Sequence, residues 1–126
     1  MKKLLAVLML LCGSAMAQHF ATLSWTAPPP QTGVTATVYN VYRSDTPGGQ
    51  VMGTHPMDLS GVTGLSYTDN TVVGGHTYYY KVSMWCAPCN GGKGAESPFS
   101  NEYKADFPPD VAIVPGAPTI TTVVIK

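Results

Sequence analysis

The sequence predicts an all-β domain, a two-sheet antiparallel sandwich of short strands. Three observations carry that prediction. Apolar and polar residues alternate with a period of two along several stretches, and no stretch after Gln18 keeps a helical period. Turn-forming clusters rich in Gly, Pro, Asn and Asp separate these stretches at regular intervals. The chain holds 13 Gly, 11 Pro and 7 Tyr, with only 11% charged residues, a balance that suits turns and half-buried strands better than helices.

The N-terminus reads as a secretory signal peptide over residues 1–17. Lys2 and Lys3 form a positive n-region, Leu4 to Leu11 an apolar core, and Ala15-Met16-Ala17 a small-x-small cleavage site. The apolar run is short for an anchor. Leu11 is bulky where a lipoprotein signal places a small residue before its cysteine, which argues against acylation of Cys12. Cleavage after Ala17 would place the protein in the periplasm, at the cell surface or outside the cell. It would leave five of the seven basic side chains against seven acidic ones. No basic stripe survives, so nucleic acid is not an expected partner. No second apolar stretch is long enough to span a membrane.

The strands follow in order. Phe20, Leu23 and Trp25 lie in a strand that ends at Pro28-Pro29-Pro30. In the next, Tyr39 and Val41 share one face, with Asn40 and Tyr42 on the other. A mixed region has weak strands near Gln50–Met52 and Leu65–Thr68. The strongest strand is HTYYYKVSMW: Tyr78, Tyr80, Val82 and Met84 face one way, and Tyr79, Lys81, Ser83 and Trp85 the other. The Gly-rich loop CAPCNGGKGAESP precedes a last strand in FSNEYKADF. Leu23, Trp25, Tyr39, Val41, Tyr78, Tyr80 and Val82 are the expected core.

Five short motifs occur in a telling order: L-x-W in ATLSWTAP, Y-x-V-Y-R in YNVYRSD, Y-T-D in SYTDN, G-x-T-Y-Y-Y-x-V in GHTYYYKV, and S-N-E in PFSNEY. In this the chain resembles a fibronectin type III domain from about Phe20 to Phe107. The resemblance implies a seven-stranded sandwich of immunoglobulin-like topology, with a domain at 18–107. It implies that Trp25 is the buried tryptophan of the second strand. It makes Tyr78 a tyrosine-corner residue, its hydroxyl tied back to nearby backbone. The sequence departs from the pattern at its ends. A mature start at Gln18 leaves no room for the family's first strand, whereas VPGAPTITTVVIK in the 108–126 tail looks like one. Ile120, Thr122, Val123, Val124 and Ile125 would form that strand. The tail is a linker or lost repeat on one reading. On the other it fills the vacant edge, in its own domain or in a neighbour. Ala105 to Pro118, at about 3.3 Å per residue, could run the length of a small sandwich.

Cys86 and Cys89 stand in C-x-x-C spacing. Outside the cytoplasm a lone cysteine pair is most often a disulfide, so a structural staple is the first reading. A metal knuckle is the second, although its remaining ligands are missing as cysteines and only His19, His55 and His76 supply imidazoles. Thiol–disulfide catalysis is the third, because no helix is expected after the motif to lower a thiol pKa. Tyr42, Tyr79 and Trp85, joined by Tyr103, fall on the outward face of neighbouring strands. They could stack on sugar rings or form a protein interface, or simply pack over lysine stems. No nucleophile elbow, paired carboxylates or phosphate loop is legible, so no enzyme, cofactor or metal is expected. The expected function is an exported, non-catalytic binding or adhesion module with a protein or carbohydrate ligand. The alternative is a structural subunit of a surface assembly that self-associates through its C-terminal strand.

Overall fold

A computed structural model describes residues 18–35, 38–54, 56–112 and 114–126. The expected signal peptide, with Cys12, lies outside the described residues, as does His55. Among the described residues six strands form: β1 (Ala21–Ser24), β2 (Val38–Ser44), β3 (Ser66–Asp69), β4 (Thr77–Cys86), β5 (Ala95–Glu96) and β6 (Tyr103–Asp106). A single turn, α1 (Cys89–Gly92), follows β4. No strand forms at Gln50–Met52, where Val51 and Met52 are exposed. The rest of the expected strand order holds, and the described residues are β-rich with essentially no helix.

The strands make two sheets. In the smaller, β1 pairs antiparallel with β3, from Ala21 opposite Asp69 to Ser24 opposite Ser66. In the larger, β4 is the centre. Seven residues of β2 lie along one edge, from Val38 opposite Trp85 to Ser44 opposite Tyr79. The other edge takes β6 near its start and β5 at its end. Between those two contacts sits Pro98, which has no N–H to donate. Serines on either side maintain the ladder. The Ser97 and Ser100 backbone N–H groups donate to the Met84 and Val82 carbonyls at 2.9 and 2.8 Å. Their hydroxyls accept the Met84 and Val82 N–H groups, both at 2.9 Å. The final strand expected in FSNEYKADF is therefore a serine-pinned edge that becomes regular only at Tyr103.

The core lies where the two sheets face each other. Val41, Val72, Tyr78 and Tyr80 are buried at its centre, with Leu23, Trp25, Tyr67, Val82 and Phe107 packed around them. The free edge of β2 is covered by the crossover to β3: Tyr39 and Val62 exchange backbone hydrogen bonds at 2.7 Å each, and the Met57 N–H reaches the Val41 carbonyl. The Tyr78 hydroxyl accepts the Val73 N–H at 3.2 Å, fastening the corner before β4 to the strand. Trp25 differs from expectation. It lies just past the end of β1 and is only half-buried, although its N–H still reaches the Leu65 carbonyl.

One polar group ties the sheets together. Asp69, at the end of β3, is 1% exposed. Its Oδ2 accepts from Arg43 Nη1 of β2 and from the Tyr80 hydroxyl of β4, each at 2.8 Å. Its Oδ1 accepts from the Thr71 N–H and hydroxyl. Burial pushes its carboxyl pKa up, but these hydrogen bonds outweigh burial and hold it below the usual carboxylate value.

Candidate functional site

The staple is present. Cys86 and Cys89 are disulfide-bonded, with Cα atoms 5.4 Å apart. The turn that begins at Cys89, α1, differs from the expected plain loop, but it is not a helix that could activate a thiol. Asn90 (φ 54°, ψ 46°) and Gly91 (φ 65°, ψ 30°) sit in left-handed geometry within it. The peptide dipoles of so short and broken a turn do not add along one axis. Gly94 (φ +83°) lies against the Trp85 indole, and a Cβ there would overlap the ring.

The expected aromatic face is dismantled in the structure. Tyr42 has the predicted outward parity, yet it is only 2% exposed. Its hydroxyl donates to Glu96 Oε1 at 2.6 Å and accepts the Gly53 N–H at 3.2 Å. The Phe99 ring meets its edge at 5.1 Å, and the Lys81 ammonium lies over Phe99. Two coverings explain the difference: the crossover around Gly53 and the serine-pinned edge that carries Phe99. Tyr79 and Trp85 are half-buried, and only Tyr103 is largely exposed. The four do not form an open row. Beneath them Glu96 collects hydrogen bonds from Ser83, Tyr42 and Asn40. Burial opposes its charge, but these donors hold its carboxyl below the ordinary range. Sequence reasoning missed Glu96 because its partners arrive from two other strands, and nothing local in Ala95-Glu96-Ser97 signals them.

A concavity shares Ser83, Glu96 and Phe99 with this cluster. A groove of about 690 Å³ opens beside the end of β1. Trp25, the prolines at 28–30, Val82 and Met84 of β4, Phe99 and the disulfide line it. Cys89 Sγ lies 3.8 Å from the Gly33 carbonyl oxygen. As half of a disulfide it has no proton to donate, so this is packing alone. The Trp25 indole tilts against Tyr39 at 5.5 Å. Its Nε1 is buried and has no hydrogen-bond partner, an arrangement that costs about 1–3 kcal/mol unless something fills it.

Next to the groove, β1 pairs on one side only. Because the Trp25 N–H reaches Leu65, the alternation of an antiparallel ladder turns the N–H and C=O groups of Thr22 and Ser24 the other way, toward the unpaired edge. The 114–126 segment forms no strand in its own chain. Ile120, Val123, Val124 and Ile125 are 83%, 72%, 74% and 90% exposed.

Other expected residues fall into structural contacts. His19 bonds Asp110 at 2.7 Å, and His76 stacks on Tyr78. Among the described residues no group of three or more His, Cys, Asp or Glu side chains could hold a metal. Among those residues no helix is long and apolar enough to cross a membrane. Compared with known families and with curated proteins, the chain finds no matching family model and no matching protein.

Proposed function

We propose that this chain is an exported, non-catalytic binding module of fibronectin type III type that holds an extended polypeptide segment in the groove beside Trp25. The observation that carries this reading is the buried, partnerless indole N–H of a residue lining an apolar groove. Apolar side chains or prolines suit the lining, and a bound peptide that shifts the indole outward would supply the missing acceptor as a backbone carbonyl. The five sequence motifs and the Tyr78 hydroxyl on the Val73 backbone support the family reading. The signal-like residues 1–17 and the disulfide support export. A protein ligand is favoured over a carbohydrate one because Tyr42 is covered and the outward aromatics do not form a platform.

The test is titration of a capped peptide, led by proline and alternating threonine with valine, followed by tryptophan fluorescence and calorimetry. Trp25→Phe removes the N–H and keeps an aromatic ring. Binding should weaken about tenfold, the equivalent of one hydrogen bond to a buried donor, with the thermal midpoint little changed. Binding that ignores Trp25→Phe, or that occurs only with oligosaccharides, would sink the reading.

A further inference from the structure

We infer that a second pocket, on the outward face of the larger sheet, takes an arginine side chain of a protein partner, with Glu96 as its anion and Trp85 as its wall. The pocket, of about 330 Å³, lies between the β2–β4 pair and the crossover residues from Gly53 to Gly61. Asn40 and Tyr42 of β2 and Trp85 of β4 line it, all on the parity turned away from the core. Glu96 of β5 is the one lining residue it shares with the groove beside Trp25, so this site exists whether or not a peptide fills the groove.

The charge on Glu96 calls for a cation. Its carboxylate pairs with no cationic side chain among the described residues, whereas Asp69, Glu102, Asp106 and Asp110 each do. The hydroxyl protons of Tyr42 and Ser83 and an amide proton of Asn40 all go to Oε1. Those three bonds fix the carboxylate in place. Oε2 accepts from no described residue and keeps contact with solvent. No lysine or arginine lines the pocket, so a charge-assisted hydrogen bond is open to a guest. A neutral guest such as a sugar would cover Glu96 without balancing it, and desolvating an unpaired carboxylate is costly. The wall then selects the shape of the cation. Gly94 packs against the six-membered ring of the Trp85 indole and holds it in position. An aromatic face beside a carboxylate suits a guanidinium, which stacks and donates in one plane, better than an ammonium. The chain has one arginine, Arg43, and Asp69 already holds it at 2.8 Å. The guest arginine therefore comes from a different protein.

The experiment is an NMR titration of the processed, exported chain, followed at its amide and indole N–H signals. The probes are the capped tripeptide acetyl-Gly-Arg-Gly-amide and its citrulline analogue, which keeps a planar head group and lacks the charge. Trp25→Phe deletes one indole signal and so identifies that of Trp85. The arginine peptide should move the Trp85 indole and Glu96 amide signals with a Kd of about 1–10 mM, and added salt should weaken it. Citrulline should bind about tenfold more weakly. Glu96→Gln keeps an oxygen for the three inward donors and turns an amide outward, so the fold should hold while arginine binding falls about tenfold. Should that variant not fold, Leu59→Lys, at an 86% exposed position on the pocket rim, sets a competing ammonium beside Glu96 and should weaken arginine binding as well. Equal binding of citrulline, indifference to both variants, or no shift at Trp85 overturns the inference. Cellotetraose that moves the Trp85 signal where the arginine peptide does not would make the pocket a sugar site and overturn it too. Shifts confined to Trp25 would place the peptide in the groove, leaving the groove reading and removing this site. A Trp85 response that survives Trp25→Phe supports this site even where the groove binds nothing.

Discussion

Replacing Asp69 with asparagine tests the argument that one buried carboxylate joins the two sheets. The oxygens of Asp69 accept from four donors: Arg43, Tyr80, and the Thr71 N–H and hydroxyl. Asparagine retains one oxygen and turns an amide toward the other pair. The hydroxyls can rotate to accept from that amide, but an N–H of Arg43 or Thr71 is left facing another donor. One orphaned donor costs about 1–3 kcal/mol. Breaking a buried pair costs about 3–5 kcal/mol. Arg43 is 27% exposed in its side chain and keeps the Thr71 hydroxyl and the Tyr78 ring face as neighbours, so the low end applies, about 3 kcal/mol. With an m-value of about 2 kcal/mol/M, the urea midpoint should fall by about 1.5 M. The pH dependence gives a second reading of the same site. The folded carboxyl sits below its ordinary pKa, so its contribution is complete above the unfolded value, near 4, and is lost as pH falls through the folded value. The gap between wild type and Asp69→Asn should therefore narrow in acid. A midpoint shift worth less than about 0.5 kcal/mol, or a gap that stays constant down to about pH 2, would refute the reasoning.

Tyr42→Phe removes a donor from Glu96 and the acceptor of the Gly53 N–H, and should cost about 2 kcal/mol in urea denaturation; an open ligand-facing tyrosine would lose almost nothing. Joint substitution of Cys86 and Cys89 by alanine opens a closure of sequence separation 3 and should cost about 2 kcal/mol. Reduction of the wild type should reproduce that loss, and identical midpoints for oxidised and reduced protein would contradict it. Gly94→Ala combines a positive φ with a Cβ inside the Trp85 ring. It should lower stability by about 1–3 kcal/mol and shift tryptophan emission; unchanged emission and melting would mean the indole does not pack there.

Period-two alternation was enough to locate β2 and β4, because both bury one face against the opposite sheet and the pattern records that burial directly. The corner at Tyr78 was expected from the resemblance to fibronectin type III domains, and the physics agrees with it: a buried tyrosine hydroxyl needs a partner, and here it accepts the Val73 N–H. Alternation failed for Tyr42. Parity gives the direction of a side chain but not what later segments lay over it, and the covering here comes from Gly53 and Phe99. The Asp69 and Glu96 clusters were illegible for the same cause, since each gathers partners from separate strands. The interruption before β6 was concealed because serine hydroxyls replace backbone partners around Pro98, which no propensity scale records. The tail presents the reverse case: its β-branched run is a strand by composition, but a strand needs an edge, and in its own chain the run pairs with none.

The central position of β4 also sets how the molecule opens. Its ten residues run between β2 on one side and β5, the two serines and β6 on the other. Amides in its middle should exchange with solvent only through global unfolding. The β1–β3 ribbon is two strands of four residues, and a two-stranded ribbon is marginal without further support. Its amides should exchange through local fraying, well before those of β4, and its formation should come late in folding because its partners are more than forty residues apart in sequence. The protein thus pairs a slowly exchanging spine with a quickly exchanging flank. Any strand laid on β1 would slow exchange in that flank most, leaving the spine almost unchanged.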